Sequence, residues 1–418
     1  MALPYLTADL PGIGGQIKTA VEDFIVQEVP LYQPDGVGTH CYFLVEKRGI
    51  STMEAVRLLA RALGRKNFDI GYAGLKDAQA VTTQWFSIEH EETARVRELA
   101  VPHLKIVNIT RHRNKIKVGH LAGNRFVIKV RNAEWGRAGA TLDEPRRRAE
   151  AILKVLADKG TPNFFGPQRF GMRKDNHQLG LSLLRGDAQQ FANRFLGDPD
   201  ESVDHGQVLL ARQHYAKGRL DLALQNWPGH LAEERRALSA LIQGKGNPKK
   251  VLFSVSVKLK QLLVSALQSH LFNEVLIRRL PQFSTVLPGD LCWKHDNGAC
   301  FAVDNTAEAA ATEQPRADAH EISPSGPMFG YKMTEPAGEP AALEAAVLKE
   351  MELTPGDFGG AEGSHGGRRS MRLFAKDILL DTGADSRGPF LQFAFTLPSG
   401  SYATVFLGEI MKEDVALD

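Results

Sequence analysis

Cysteine is scarce in this 418-residue sequence: Cys41, Cys292 and Cys300 are the whole supply, and none belongs to a CxxC pair. Three thiols cannot form a paired disulfide framework, so a reducing compartment is expected and a structural zinc site is not. The thirteen histidines include no HExxH or other compact ligand spacing. No segment reaches the roughly 18 uninterrupted apolar residues of a membrane-spanning helix. The start, MALPYLTADLPG, lacks a basic head followed by an apolar run, so no secretion signal is expected and the cytoplasm is the expected compartment. Net charge is nearly absent as well. Lys plus Arg number 51 against 49 Asp plus Glu, which excludes a histone-like polycation; affinity for nucleic acid has to come from local patches.

What is present is an ordinary globular composition, 43% apolar and 24% charged, long enough for two or three domains. The first 135 residues alternate strand and helix patterns. Residues 39–46, 68–73, 81–88, 104–109, 115–120 and 124–131 read as strands. Ser51 and Glu54 form a capping-box signature ahead of Val56, Leu59, Ala60 and Leu63, and Gly64 suits the end of that helix. Residues 143–158 read as a helix. Helical patterns dominate from about 178 to 280, short strands return around 285–335, and the last 40 residues read as a strand (LQFAFTL) and then a helix (ATVFLGEIMK). Residues 305–320 read as an exposed loop, and 355–370, with six glycines, as a flexible connection. A helical middle inserted into one α/β core accounts for this order better than tandem domains, because the final strands need partners.

Four stretches stand out for chemistry. In Gly71–Gln84, Lys76 and Asp77 lie between two strands; Asp77 reads either as a turn residue or as an acid held for work as nucleophile or base. The segment lacks the GxxxxGK[ST] pattern of a phosphate-binding loop. Pro162–Gly171 packs three Phe with Asn163, Gln168 and Arg169, which suits stacking and hydrogen bonding to unpaired bases or, equally, anchoring of a loop in the core. Ser265–Arg279 is first of all a packing helix. Leu397–Thr404 is a strand-turn-helix junction bearing Tyr402. Residues 101–133 contain no Asp or Glu but hold Lys105, Arg111, Arg113, Lys115, Lys117, Arg125, Lys129 and Arg131, a local positive field suited to phosphates or to a solvated hairpin face. Gly12-Ile-Gly-Gly follows no strand and is not a dinucleotide site.

Together these stretches resemble the TruD family of tRNA pseudouridine synthases. The GxKDxxAxTxQ motif is matched at Gly74, Lys76, Asp77, Ala80, Thr82 and Gln84. PNxFGxQRFG is matched from Pro162 to Gly171, SxLFN at Ser269 and Leu271–Asn273, and LPxGS(F/Y)AT from Leu397 to Thr404. Lys18 and Glu22-Asp23-Phe24 match the family's Lys followed by EDF. The resemblance implies an α/β (α+β) fold: a pseudouridine-synthase catalytic core with a mixed, largely antiparallel sheet, interrupted by an inserted α/β domain. The expected boundaries are 1–188 and 376–418 for the core and 189–375 for the insertion. The chain is longer than short bacterial members between Gly171 and Ser265.

The resemblance also implies the reaction. The N1–C1′ bond of a uridine in tRNA, usually uridine-13, is broken, and the base is turned and rejoined through C5. No redox change or added atom is needed, so no cofactor is expected. Asp77 falls at the catalytic carboxylate and Lys18 at its basic partner; a nearby ammonium favours an ionised carboxylate. Phe24, Asn163 and Tyr402 match nucleotide-contacting positions, and Phe165 is expected to stack on the base. Lys76, Arg111, Arg113, Lys115, Lys117, Gln168 and Arg169 are the expected RNA contacts. The expected partner is tRNA, with no membrane and no obligate protein partner evident. Flipping the nucleotide costs a few kcal/mol, which aromatic stacking of about 1–3 kcal/mol per base can offset. The alternatives are the same chemistry at another RNA site, or a catalytically silent RNA-binding protein on the same scaffold.

Overall fold

The computed structural model describes residues 3–133, 141–360 and 364–413. Its fold is mixed α/β, and the chain divides into two compact units, one formed by Met1–Asn163 with Leu373–Asp418 and the other by Phe164–Arg372. The sequence reading sets the corresponding boundaries at 188/189 and 375/376. The short helix Asn176–Leu184 falls in the second unit because it packs along the long helix Val257–Arg279.

The first unit is organised by an eight-stranded sheet: β1 (Phe24–Pro30), β2 (His40–Arg48), β3 (Gly71–Tyr72), β4 (Val81–Glu89), β5 (Leu104–His112), β6 (Leu121–Arg131), β7 (Lys376–Asp385) and β8 (Gly388–Pro398). The order is β7-β8-β6-β1-β4-β2-β5, with β3 also on β4. The strands that close the chain do find partners, since β8 pairs along β6 from Phe390↔Arg131 to Pro398↔Gly123. β1 and β4 run parallel with Ile25 opposite Val81; the pairs β1–β6, β2–β4, β2–β5, β6–β8 and β7–β8 are antiparallel.

Alternation of side chains across the strands gives the sheet two different faces. Phe24, Val26, Phe126, Ile128, Leu391, Phe393 and Phe395 share one core with α2 (Asp143–Lys159) and α3 (Ala403–Met411). Cys41, Phe43, Val45, Phe86 and Ile88 form a second core with α1 (Thr52–Leu63). α1 has the ends foreseen for it: the Ser51 hydroxyl accepts from the Glu54 N–H at 3.1 Å, and Gly64 closes the helix at φ +64°. The other face carries a polar row. Register sets Lys376 opposite Thr396, then Arg125, Gln27, Thr83, Glu46 and Lys105, across seven strands. Lys376, Arg125, Gln27 and Lys105 in this row are exposed.

The second unit places that long helix against a four-stranded sheet ordered Gly367–Ser370, Ile322–Met328, Leu291–Lys294, Cys300–Ala302. Helices between Asn176 and Ser254 enclose a separate core around Trp227 and Phe191.

Several local expectations are corrected. Residues 305–320 are not a loop but mainly the helix Ala307–Asp318, capped by the Thr306 hydroxyl on the Ala309 N–H at 3.2 Å. Its buried residues are Ala310 and Ala317, so the missing large apolar side chains disguised it. Residues 115–120 are not a strand: the Ile116 N–H bonds to the Ser87 hydroxyl and the Gly119 N–H to the Ala73 carbonyl, a loop folded onto its neighbours. Within 68–73 only Gly71–Tyr72 is strand. The glycine-rich 355–370 segment contains a 3-10 turn, Pro355–Gly359, and the strand Gly367–Ser370; its residues 361–363 lie outside the described ones.

Candidate active site

Parallel pairing of β1 and β4 explains why two distant segments meet. Both strands start at the same level of the sheet, so the residues just before them converge: Lys18 ahead of β1 and Asp77 ahead of β4. The Lys18 ammonium lies 3.4 Å from Asp77 Oδ1 and 4.6 Å from the centre of the Phe24 ring. Lys18 Nζ is thus held between a carboxylate and an aromatic face. The Lys18 side chain is 7% exposed and that of Asp77 42%. Lys18 has φ +58°, a left-handed conformation that a non-glycine residue keeps only where its surroundings hold it. Those surroundings include a two-way backbone bridge between Gln16 and Arg131, at 2.8 and 2.9 Å.

The loop carrying Asp77 is fixed through its backbone. Gln84 donates to the Gly74 carbonyl at 3.2 Å and accepts from the Thr52 hydroxyl at 2.9 Å. The same hydroxyl accepts from the Lys76 N–H at 2.8 Å. The Ala80 carbonyl accepts from the Gly49 N–H at 3.2 Å. The Gln of the loop motif is therefore structural and ties the loop to α1. Lys47 Nζ donates to the Asp77 carbonyl and the Ile50 carbonyl, both at 2.8 Å.

Lys76 is a correction. It is not an outward cation for RNA: its ammonium pairs with Glu28 at 2.9 Å, and the two side chains are 3% and 1% exposed. In so buried a place each charge needs the other. The basic stretch is also less free than its composition suggests. Arg111 donates to the Gly38 and Glu91 carbonyls, Lys115 to the Phe68 carbonyl, and Arg113 pairs with Asp35 at 3.1 Å; Lys117 is exposed.

Asn163 is buried beside the short strand Thr161–Pro162, and Tyr402, half-buried, precedes α3. In the second unit Asn273 accepts from the Phe165 N–H at 2.9 Å and donates to its carbonyl at 3.0 Å, so the Asn of SxLFN holds the Phe-rich loop by its backbone. The Phe165 ring is buried, with the Arg369 guanidinium 4.2 Å from its centre and the Phe272 ring edge-on at 5.6 Å. The Arg169 guanidinium is 5.8 Å from the same ring centre, so stacking of a base on Phe165 requires these groups to move. Arg169 donates to the hydroxyls of Ser265 and Ser269, which occupies its guanidinium, and Gln168 is exposed.

The sequence reading missed Lys47, Glu28 and Thr52. Lys47 had a signal: it continues the Cys41, Phe43, Val45 alternation and so belongs on the buried face of β2.

Comparison with known proteins supports the same assignment. Residues 1–410 match the family described as tRNA pseudouridine synthase D (TruD). A Geobacter sulfurreducens protein named tRNA pseudouridine synthase D is 44% identical, covering 98% of this chain and 96% of its own. An Anaeromyxobacter dehalogenans protein of the same name is 38% identical over 99% of this chain and 98% of its own. The crystal structure of a Methanosarcina mazei protein, provisionally named tRNA pseudouridine synthase D, superposes with a TM-score of 0.81 at 27% identity, covering 98% and 96% of the two chains. No helix among the described residues is long and apolar enough to cross a membrane. With motifs, fold and whole-length similarity in agreement, the chain belongs to the TruD family, the tRNA pseudouridine synthases D.

Proposed function

We propose that this protein isomerises uridine to pseudouridine in tRNA, with uridine-13 as its target and Asp77 as the reacting carboxylate. The observation that carries the reading is the contact of Lys18 with Asp77 beside Phe24, at the head of the parallel strand pair. The carboxylate is partly exposed, has a cation on one side, and sits on a loop whose backbone is fixed, so little reorganisation accompanies its use. The step balances without an added reagent. The N1–C1′ bond breaks, a C5–C1′ bond forms, the C5 proton leaves to solvent and N1 gains one. Asn163 and Tyr402 are the proposed nucleotide contacts. The test is a nucleotide-resolution map of pseudouridine in tRNA treated with the purified protein, with a new pseudouridine expected at position 13. Its absence from every tRNA would favour the silent RNA-binding reading.

The polar row on the open sheet face is the proposed track for the RNA backbone. It crosses β4 at Thr83, two residues beyond the point where the Asp77 loop enters that strand, and it offers the exposed cations Lys105, Arg125 and Lys376. Changing these three to Ala is expected to weaken tRNA binding and to reduce the slope of log K against log salt by about 0.7–0.9 for each phosphate that is no longer neutralised. An unchanged slope in filter-binding titrations would move the track elsewhere.

A further inference from the structure

Lys47 is the most heavily buried cation near the site, with 0% exposure. Its two hydrogen bonds go to backbone carbonyls, Asp77 on the loop and Ile50 in the turn before α1, each at 2.8 Å. A neutral hydrogen-bonding or apolar residue would satisfy ordinary packing needs there at lower desolvation cost, because burying an ammonium without a bonded carboxylate is unfavourable. What the ammonium does accomplish is specific. It clamps the peptide of Asp77 to the end of β2, which fixes where the Asp77 side chain leaves the loop.

We infer that Lys47 is a positioning residue for the isomerisation, holding the Asp77 peptide by its ammonium and thereby aiming the Asp77 carboxylate at the substrate sugar. This rests on the reading of Asp77 as the reacting group. The groups that face Lys47 are Asp77 and Lys76 on the loop, with Glu28 of β1 paired to Lys76 and Lys18 beyond the Asp77 carboxylate. Burial pulls the Lys47 ammonium down to about 8; Lys76 adds to that and Asp77 opposes it. The clamp is therefore charged at neutral pH and neutral in mildly alkaline solution.

Single-turnover rates with tRNA in excess of its Kd, measured from pH 6.5 to 9.0, test the inference with Lys47→Met, Lys47→Arg and Asp77→Asn. Wild type is expected to slow as pH rises through about 8. Lys47→Met, which keeps the stem and removes the charge, is expected to react about 10–100-fold more slowly at pH 7, with tRNA Kd unchanged and the alkaline fall gone; misplacement of a reacting group by an ångström has an effect of that size. Lys47→Arg is expected to recover most of the rate and to stay active above pH 8, since guanidinium keeps its charge. If Lys47→Met does not fold, the alkaline behaviour of wild type and Lys47→Arg decides the matter. A wild type without the fall, a Lys47→Arg that retains it near 8, or a Lys47→Met as fast as wild type overturns the inference. Activity in Asp77→Asn would instead overturn the underlying reading of Asp77, so the two failures are distinguishable.

Discussion

Asp77→Asn is expected to abolish release of tritium from tRNA labelled at uridine C5, by at least about 10⁴-fold, while tRNA still binds. The substitution keeps shape and removes the carboxylate. Loss of a reacting group that no neighbour replaces has effects of this order. The fold should not respond, because the loop is held by groups other than the Asp77 side chain: its carbonyl by Lys47, the Gly74 carbonyl by Gln84 and the Lys76 N–H by Thr52. Glu28, the other carboxylate close by, is committed to the buried Lys76 ammonium and its side chain is 1% exposed, so it is not a substitute. Thermal melting and tRNA Kd close to wild type, with no tritium released, is the predicted set. A variant that keeps even a tenth of the rate would remove Asp77 from the chemistry.

The largest expected effect on stability is at Arg131. Its guanidinium makes two 2.7 Å bonds to Asp23 and two more, at 2.7 and 2.9 Å, to Asp385. The Arg131 and Asp23 side chains are 3% and 1% exposed. Arg131→Met leaves the Asp23 carboxylate buried without its cation, which is expected to cost about 3–5 kcal/mol. In a unit of this size that lowers Tm by on the order of 10 °C. Adding Asp23→Asn removes the stranded charge and is expected to recover a good part of the loss, as a double-mutant cycle can measure. Arg131 and then Lys129 hold the Asp385 carboxyl far below the usual carboxylate range. The sign follows from that depression. Its contribution is present above the unfolded value near 4 and is lost only as pH falls through the lower folded value, so wild type should resist acid better than the variant. A loss under about 1 kcal/mol for Arg131→Met would show that the cluster relaxes or admits water.

The same cluster shows how motifs relate to geometry. In Glu22-Asp23-Phe24, Asp23 is an anchor and Phe24 faces the Lys18 ammonium, two roles that a string of letters does not separate. The residues of the proposed site were legible because the chemistry needs few side-chain types, and these recur at fixed spacing. The framework around them was less so. Glu28 and Lys76 are far apart in sequence and meet only because β1 and β4 run parallel. Thr52 looks like any first-turn threonine until its hydroxyl is seen between Gln84 and the Lys76 N–H. Strands with apolar alternation, such as β2, β4 and β8, were readable from pattern. The helix Ala307–Asp318 was not, because it contains Pro315 and buries only alanines. The polar row was invisible for a different reason: it is a property of register across seven strands, and no single segment contains more than one of its members.

A map of the product is the most direct test of Asp77 as the reacting group. One tRNA transcript, treated in parallel with wild-type protein and with Asp77→Asn and read for pseudouridine at every nucleotide, is predicted to show a single new modification at position 13 with the first and none with the second. Equal maps from the two proteins, or an unmodified transcript in both, would contradict it.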